Sequence, residues 1–521
     1  MRTLIFDLIE TTDAYIPDPR NFTPVQKFLE FSTSVEDFFR PLGEIMYKPL
    51  YPVCEVTKLN QIRAAAFMCI IGSFFLSLGL SYIQRPILRK LYSTSLGFGI
   101  SFYFWGIGAW FNLFLVVSSY AIMLAFPRML AAKLMVWWAG SILGVVHYYY
   151  YTAPVERSTG IFLSLMFSFA KIHMVSWNYH DAGLVGDAEK SKHMTEREKH
   201  YAEALAGVPG FLDWIHYFYF VSTAGAGPMY EYRDFIDFIN YTGDIKAMKV
   251  GDNVWYALKR FGEALFNVTI FLILSAKLKA AYMQTEEFID EPFWFKLYLL
   301  IASMHITIFY HYFVFGGWEA NLIASGFSYR KGEKDKTAEY NSVRGVSCVA
   351  FSTSLNGTQA TTNWNMNTVS WLKYYVQMRL LDRTKPRHVI QIWPVASVFI
   401  ASSVWHGPEL GFAVFFLTLF LNSIIAKFFE KTKLAAQINR LVPRYVLFVP
   451  LWIWNYFQLS FGGMAFTFKT LKKFNNMHAA FGYNLFWLQP LLLAIAIALP
   501  KVKSERKEAV QKVSDTDNKK D

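Results

Sequence analysis

Long apolar runs broken by short clusters of charge set the pattern of this chain. Ala64 to Ile83 offers about 20 mostly apolar residues, the length of one membrane-crossing helix, and is closed by Arg85, Arg89 and Lys90. Leu91 to Phe126 carries 36 residues without a charge. That is too long for one crossing and too short for two with a loop, and Gly97, Gly99, Gly106 and Gly108 predict a break or re-entrant turn inside it. Leu134 to Tyr151 predicts another span, ending in the tyrosine tetrad 148–151 at an interface. Gly160 to Trp177 follows, then short spans over Phe211 to Gly227 and Glu263 to Lys277, and a longer one over Phe293 to Trp318. Val389 to Trp405, Leu410 to Ile425, Val446 to Phe466 and Tyr483 to Leu499 complete the set.

Between these runs lie segments too polar to cross. Gly183 to Ala206 mixes charges of both signs and reads as a solvated loop or amphipathic helix, Arg330 to Lys336 as a hydrophilic loop, and Ser342 to Arg387 as a polar central segment. The reading is an all-α polytopic integral membrane protein with about ten or eleven transmembrane helices around a cavity. Residues 1–60 form an N-terminal surface or interfacial segment, 61–500 the transmembrane catalytic domain, and 501–521 a charged flexible tail. The early acids and missing apolar core of the amino terminus exclude a cleaved signal peptide, so internal spans direct insertion.

Composition agrees. Of 521 residues, 54% are hydrophobic and 17% charged, against about a quarter charged in soluble domains. The formal net charge of +12 suits basic loops touching anionic headgroups, and equally a phosphate-bearing substrate, but does not call for nucleic acid. Basic linkers lie between many spans, so the orientation of the termini stays open. Cys54, Cys69 and Cys348 are too few and too scattered for a disulfide framework or a zinc site, and no metal is expected.

The chemistry gathers late in the chain. Lys171 and His173 in one apolar run, and Lys296, His305 and His311 in another, should face protein or water rather than lipid. Read as a helix from Trp364, the central segment places Asn365, Thr368, Leu372, Tyr375 and Arg379 along one face, which suits an interfacial helix or a cavity wall. Downstream, His406 closes an apolar run beside Trp405 and Gly407-Pro408. A neutral imidazole there is either structural or a general base that takes a proton from an alcohol. No HExxH, GxSxG, GxxxxGK[ST] or GxGxxG pattern occurs, so zinc proteolysis, a serine triad and nucleotide-driven transport lack their usual marks.

WNMNTVSWLKYYVQMR followed by VWHGPELG resembles the membrane-bound O-acyltransferase family, in particular its lysophospholipid acyltransferase branch. FAKIHMVSWNYHDAG, GAGPMYEYRDF and YFVFGGWEANLIASGFSY are weaker matches in the expected order, so the likeness covers about residues 60 to 500. Ala320 stands where the branch carries a glycine after its glutamate. The resemblance implies that His406 and Asn365 are catalytic, His406 as base and Asn365 orienting the hydroxyl or the developing oxyanion. It further implies substrate-binding roles for Trp364, Thr368, Trp371, Lys373, Arg379, Trp405 and Glu319. Lys373 and Arg379 are the candidates for phosphates of coenzyme A, or else snorkel to headgroups. The implied partners are acyl-CoA as co-substrate with no bound cofactor, a lysophospholipid and membrane lipids; monomer and homodimer are both open. The implied location is the endoplasmic-reticulum membrane, which the terminal lysines only loosely echo as a retrieval signal.

Two other readings stand beside this one. A relative of the same family acting on a protein, a sterol or diacylglycerol is open, although the sterol and diacylglycerol branch carries Phe-Tyr-x-Asp-Trp-Trp-Asn where this chain has TTNWNMNT. A transporter would also use broken helices, but it predicts paired breaks in matching halves, and residues 342–387 have no counterpart.

Overall fold

The computed structural model describes residues 48, 50–57, 59, 61–105, 108–152, 161–224, 227–331, 339–385 and 390–502. Most of the expected N-terminal segment, the tail beyond 502 and most of the loop from Arg330 to Lys336 lie outside the described residues. The regular structure is helical: α1 (Gln61–Ser81), α2 (Pro86–Trp105), α3 (Gly108–Ala125), α4 (Arg128–Thr152), α5 (Ile161–Ala182), α6 (Glu196–Glu203), α7 (Phe211–Phe218), α8 (Tyr232–Ile239), α9 (Val250–Ser275), α10 (Phe293–Ala324), α11 (Gly357–Asn363), α12 (Met366–Leu372), α13 (Ile392–His406), α14 (Leu410–Phe429), α15 (Lys433–Leu441), α16 (Arg444–Phe468), α17 (Leu471–Ala480) and α18 (Asn484–Ala498). Isolated β-bridges, among the described residues, occur at Arg330–Glu339 and Thr432–Lys501. Segments Arg63–Ser81, Arg128–Tyr148, Phe293–Ala324 and Leu410–Phe429 are long and apolar enough to cross a bilayer, and Ala109–Ala125, Ile392–His406 and Trp487–Ala498 are shorter apolar stretches.

Most apolar runs became helices close to their expected bounds. The uncharged run from Leu91 to Phe126 is divided between α2, described to Trp105, and α3, described from Gly108. Gly97 does not break α2; a Cβ there would collide with the carbonyl of Tyr219, so the glycine permits close packing. Phe211 to Gly227 departs from its expectation. It forms only the two turns of α7 and a short 3-10 turn, Val221–Thr223, because its aromatic side chains carry polar ends that bond inside the protein. Trp214 Nε1 donates to the Val116 carbonyl at 2.9 Å, and Tyr217 Oη to that of Tyr230 at 2.8 Å.

The chain divides into two compact units, one of Met1–Lys279, His305–Cys348 and Trp364–Glu409, the other of Ala280–Met304, Val349–Asn363 and Leu410–Asp521. In the first unit α4 packs along α5, and α3 contacts both. A continuous core of buried side chains includes Met135, Leu165, Ile172, Trp214, Tyr217, Phe220, Phe235 and Phe327, and reaches Trp371 and Trp405 beside the candidate chemistry. Arg89, fully buried, is accommodated by donating to the carbonyls of Leu80 (3.2 Å) and Ile83 (2.6 Å), with its guanidinium 4.3 Å from the Phe238 ring. The polar stretch before α6 is organised by a capping box: Thr195 accepts from the Glu198 N–H, and the Glu198 carboxylate accepts from the Thr195 N–H. In the second unit α14 packs on α16 and α18, and Gln489 donates to Gln458 at 2.6 Å within the buried interior.

Candidate active site

All nine residues singled out from the sequence lie in the first unit. The helix expected to begin at Trp364 begins instead at Met366. Asn365 precedes it in the left-handed region, φ 42° and ψ 50°, and Trp364 lies outside both α11 and α12. Asparagine is, after glycine, among the residues that tolerate this conformation best. Its carbonyl accepts from the Val369 N–H at 3.0 Å, whereas its side chain makes no cap to the helix and is left for another task. From Lys373 to Gln377 the backbone widens into a π-turn, a feature often met at functional sites. The face read from the sequence survives in part: Thr368, Leu372 and Tyr375 are buried, and Arg379 reaches Asp181.

The position of Asn365 traces back to Glu319. Its carboxylate accepts from the Gly345 N–H (3.0 Å) and from Arg260 Nη2 (3.1 Å). The Gly345 carbonyl in turn accepts from the Met366 N–H at 2.7 Å, so the residue after Asn365 is tied to the buried carboxylate by one peptide unit. A Cβ on Gly345 would come 2.9 Å from both Phe315 Cβ and the Phe315 carbonyl, which explains why glycine stands there. Glu319 therefore holds backbone through Gly345.

His406 is the last residue of α13 and is part-exposed. Gly407 follows at φ 121°, a conformation that favours glycine, and lets the chain turn away directly after the imidazole. Trp405 is buried; its indole N–H donates to the Met166 carbonyl at 2.9 Å, and its own carbonyl accepts from His147 Nε2 at 2.9 Å. The electrostatic neighbours of His406 are His147 and His311. His311 in turn packs on Trp364, ring centroids 5.5 Å apart, and so links the Asn365 end of the site to the His406 end.

Trp371, 5.2 Å from the Trp405 ring, aims its indole N–H at His173 Nδ1 (3.1 Å), while Trp177 aims at His173 Nε2 (2.9 Å). A neutral imidazole has one acceptor nitrogen, so it satisfies one of these donors at a time. Arg379 is held by Asp181 through two bonds of 3.0 and 2.6 Å and lies over the Trp177 ring at 4.5 Å. Lys373 is exposed, its ammonium 5.4 Å from the Tyr374 ring. Of the named residues, Trp364, Asn365, Lys373 and His406 are thus reachable, whereas Thr368, Trp371, Trp405 and Glu319 are buried supports.

Sequence reasoning assigned no role to several residues that build the site. Asn367 clamps the Met229 backbone, accepting from its N–H and donating to its carbonyl, both at 2.7 Å. Tyr375 donates to buried Glu231, which also pairs with Arg197 at 2.8 Å. Burial holds the Glu231 carboxyl above the usual carboxylate range, opposed by Arg197. These groups border a polar cavity of about 120 Å³ that includes Ser370 and Trp371 in its wall. Lys171, His173 and His311 carried a signal, an ionisable group inside an apolar run, but not their partners.

Comparison with known proteins places the same stretch in a family. The family model described as MBOAT, membrane-bound O-acyltransferase family, matches residues 115–466, which include Asn365 and His406. A protein named lysophospholipid acyltransferase from Schizosaccharomyces pombe is 25% identical over 360 residues, 66% of this chain and 67% of that protein. Lysophospholipid acyltransferase 5 of Homo sapiens is 24% identical over 450 residues, 83% and 87% of the two chains, and that of Mus musculus 24% over 503 residues, 90% and 98%. With a matched region that spans most of the helical domain and both ends of the site, this integral membrane protein belongs to the membrane-bound O-acyltransferase family.

Proposed function

We propose that the protein transfers a fatty acyl group from acyl-CoA to the free hydroxyl of a lysophospholipid, remaking a two-chain phospholipid in the endoplasmic-reticulum membrane. The observation that carries this reading is the family match over residues 115–466 together with relatives named lysophospholipid acyltransferases that align along most of both chains.

In the reaction, the lysophospholipid oxygen attacks the thioester carbonyl carbon while His406 takes the hydroxyl proton. The Asn365 amide, uncommitted to its own helix, orients the hydroxyl or donates to the carbonyl oxygen as negative charge builds there. The carbon–sulfur bond then breaks, and the proton held on His406 passes to the departing sulfur, giving free CoA and a neutral imidazole. A thioester is already activated, so direct transfer needs no covalent enzyme intermediate. Lys373, exposed and close to the site in sequence, takes the CoA phosphates; Arg379, already paired with Asp181, acts through the fold.

The test uses purified protein in detergent with labelled acyl-CoA and lysophospholipids differing in headgroup. Labelled phospholipid appearing in step with free CoA, and lost in His406→Ala, is the expected result. Failure of every lysophospholipid with intact protein would redirect the reading to a protein, sterol or diacylglycerol acceptor.

A further inference from the structure

We propose that His311 is a substrate-binding residue of the transfer centre, its Nε2 accepting a hydrogen bond from a pantetheine amide N–H of bound acyl-CoA. The proposal rests on the acyl-transfer reading above and adds a residue to that same site.

The argument begins with the tautomer. His311 Nδ1 lies 2.9 Å from the Thr307 carbonyl, one turn earlier on α10. A carbonyl oxygen only accepts, so Nδ1 carries the hydrogen. A charged imidazole inside an apolar helix is costly, which leaves the ring neutral and Nε2 a bare acceptor. Among the described residues no hydrogen bond reaches Nε2.

Position supplies the rest. The ring is fixed on its flanks by Trp364 (5.5 Å) and Phe315 (6.0 Å), so it cannot swing away without unpacking both. Trp364 is the residue before Asn365, and His311 is an electrostatic neighbour of His406. His311 is also part-exposed, as are Trp364, Asn365 and His406. An acceptor with no donor, set in an aromatic wall between two catalytic groups, calls for a donor brought by the substrate, because an unpaired polar atom there is unfavourable once water is excluded. The amide N–H groups of the pantetheine arm are such donors, whereas the one hydroxyl hydrogen of the lysophospholipid goes to His406 in the transfer.

The experiment measures kcat and KM for both substrates in wild type, His311→Phe and His311→Gln. Phenylalanine keeps a ring against Trp364 without an acceptor, and glutamine carries an oxygen to about the reach of Nε2. The expected result is a fall in kcat/KM of about ten-fold in H311F, carried by a raised KM for acyl-CoA, with most of it recovered in H311Q. A raised KM for acyl-CoA assigns the bond to pantetheine; a raised KM for lysophospholipid alone would overturn the proposal. H311F within two-fold of wild type, both KM values unchanged, or H311Q no better than H311F would each overturn the proposal. If H311F does not elute as folded protein, His311→Asn replaces it: Asn reaches only the Nδ1 position, so it should be impaired where H311Q is not, and equal activity of the two overturns the proposal. Wild-type turnover in the same assay separates the two claims, since an inactive wild type would defeat the acyl-transfer reading, not the assignment of His311.

Discussion

Asn365 combines at one position a left-handed backbone and the amide proposed to act in the transfer. The two separate by substitution. Asn365→Gly relieves the backbone at φ 42° but removes the amide, whereas Asn365→Ala removes the amide and forces an L side chain into a region costing roughly 1–2 kcal/mol. Both variants should lose acyl transfer by about 100-fold or more, but only Asn365→Ala should melt earlier, by several degrees, in a thermal-shift measurement. Equal activity of Asn365→Gly and wild type would remove the amide from the mechanism. Gly407 gives a matching case at the other end of the site. An added Cβ there would adopt φ 121° and approach His147 Nδ1 and the Glu409 carboxylate to 3.0 Å. Gly407→Ala should therefore displace His406 and depress kcat far more than either KM, a pattern that steady-state kinetics reads directly. Neither backbone feature was legible beforehand, since residue identity permits a left-handed angle without announcing it.

At the scale of elements, short polar connections carry the precision of the site and long helices carry its walls. The relay from Glu319 through Gly345 to Met366 is the clearest instance, because it sets the start of α12 from a carboxylate on α10. Glu319→Gln keeps an oxygen that accepts from Gly345 but cannot balance the charge of Arg260, and Glu319→Ala removes both. Activity should fall in the order wild type, Gln, Ala. Ala should also lose stability by about 1–3 kcal/mol, the cost of the bonds lost at Gly345 and Arg260, seen as earlier melting in detergent. Arg260 keeps Glu263 at 2.7 Å and the Val346 carbonyl at 3.1 Å. Equal behaviour of Gln and Ala would show that only the charge matters and that the hydrogen bond to Gly345 does not. The apolar runs foretold α1, α4, α5, α10, α13 and α14 because hydropathy over about 20 residues is a strong constraint in a bilayer. Phe211 to Gly227 misled because tyrosine, tryptophan and histidine count as apolar in a run yet bury by hydrogen bonding inside protein. The partners of Glu319, Arg379 and Asn367 lie far along the chain, and no local pattern carries such pairings.

Over the whole molecule the separation of reachable from buried groups decides how the two substrates meet. A family resemblance implies Asn365 and His406 as the catalytic pair, and the fold packs Trp364, beside Asn365, on His311. What hydropathy alone left open was which cations remain free: Arg379, Arg89 and Arg260 are consumed by internal partners, while Lys373 is exposed. That distinction has a measurable consequence. Acyl-CoA is a polyanion arriving from water, and a chain with formal net charge +12 attracts it over a range set by salt. The lysophospholipid arrives through the lipid phase and is far less subject to that field. Raising salt from about 0.05 to 0.5 M shortens the screening length from roughly 14 to 4 Å, so KM for acyl-CoA should rise by about three-fold or more while KM for lysophospholipid stays nearly constant. Lys373→Gln should start with the higher acyl-CoA KM and show a shallower dependence on salt, because one of the charges that produced the attraction is gone. A mutant slope parallel to that of wild type would mean that the whole-chain field acts without Lys373, and the phosphate contact would then have to be sought among other exposed cations.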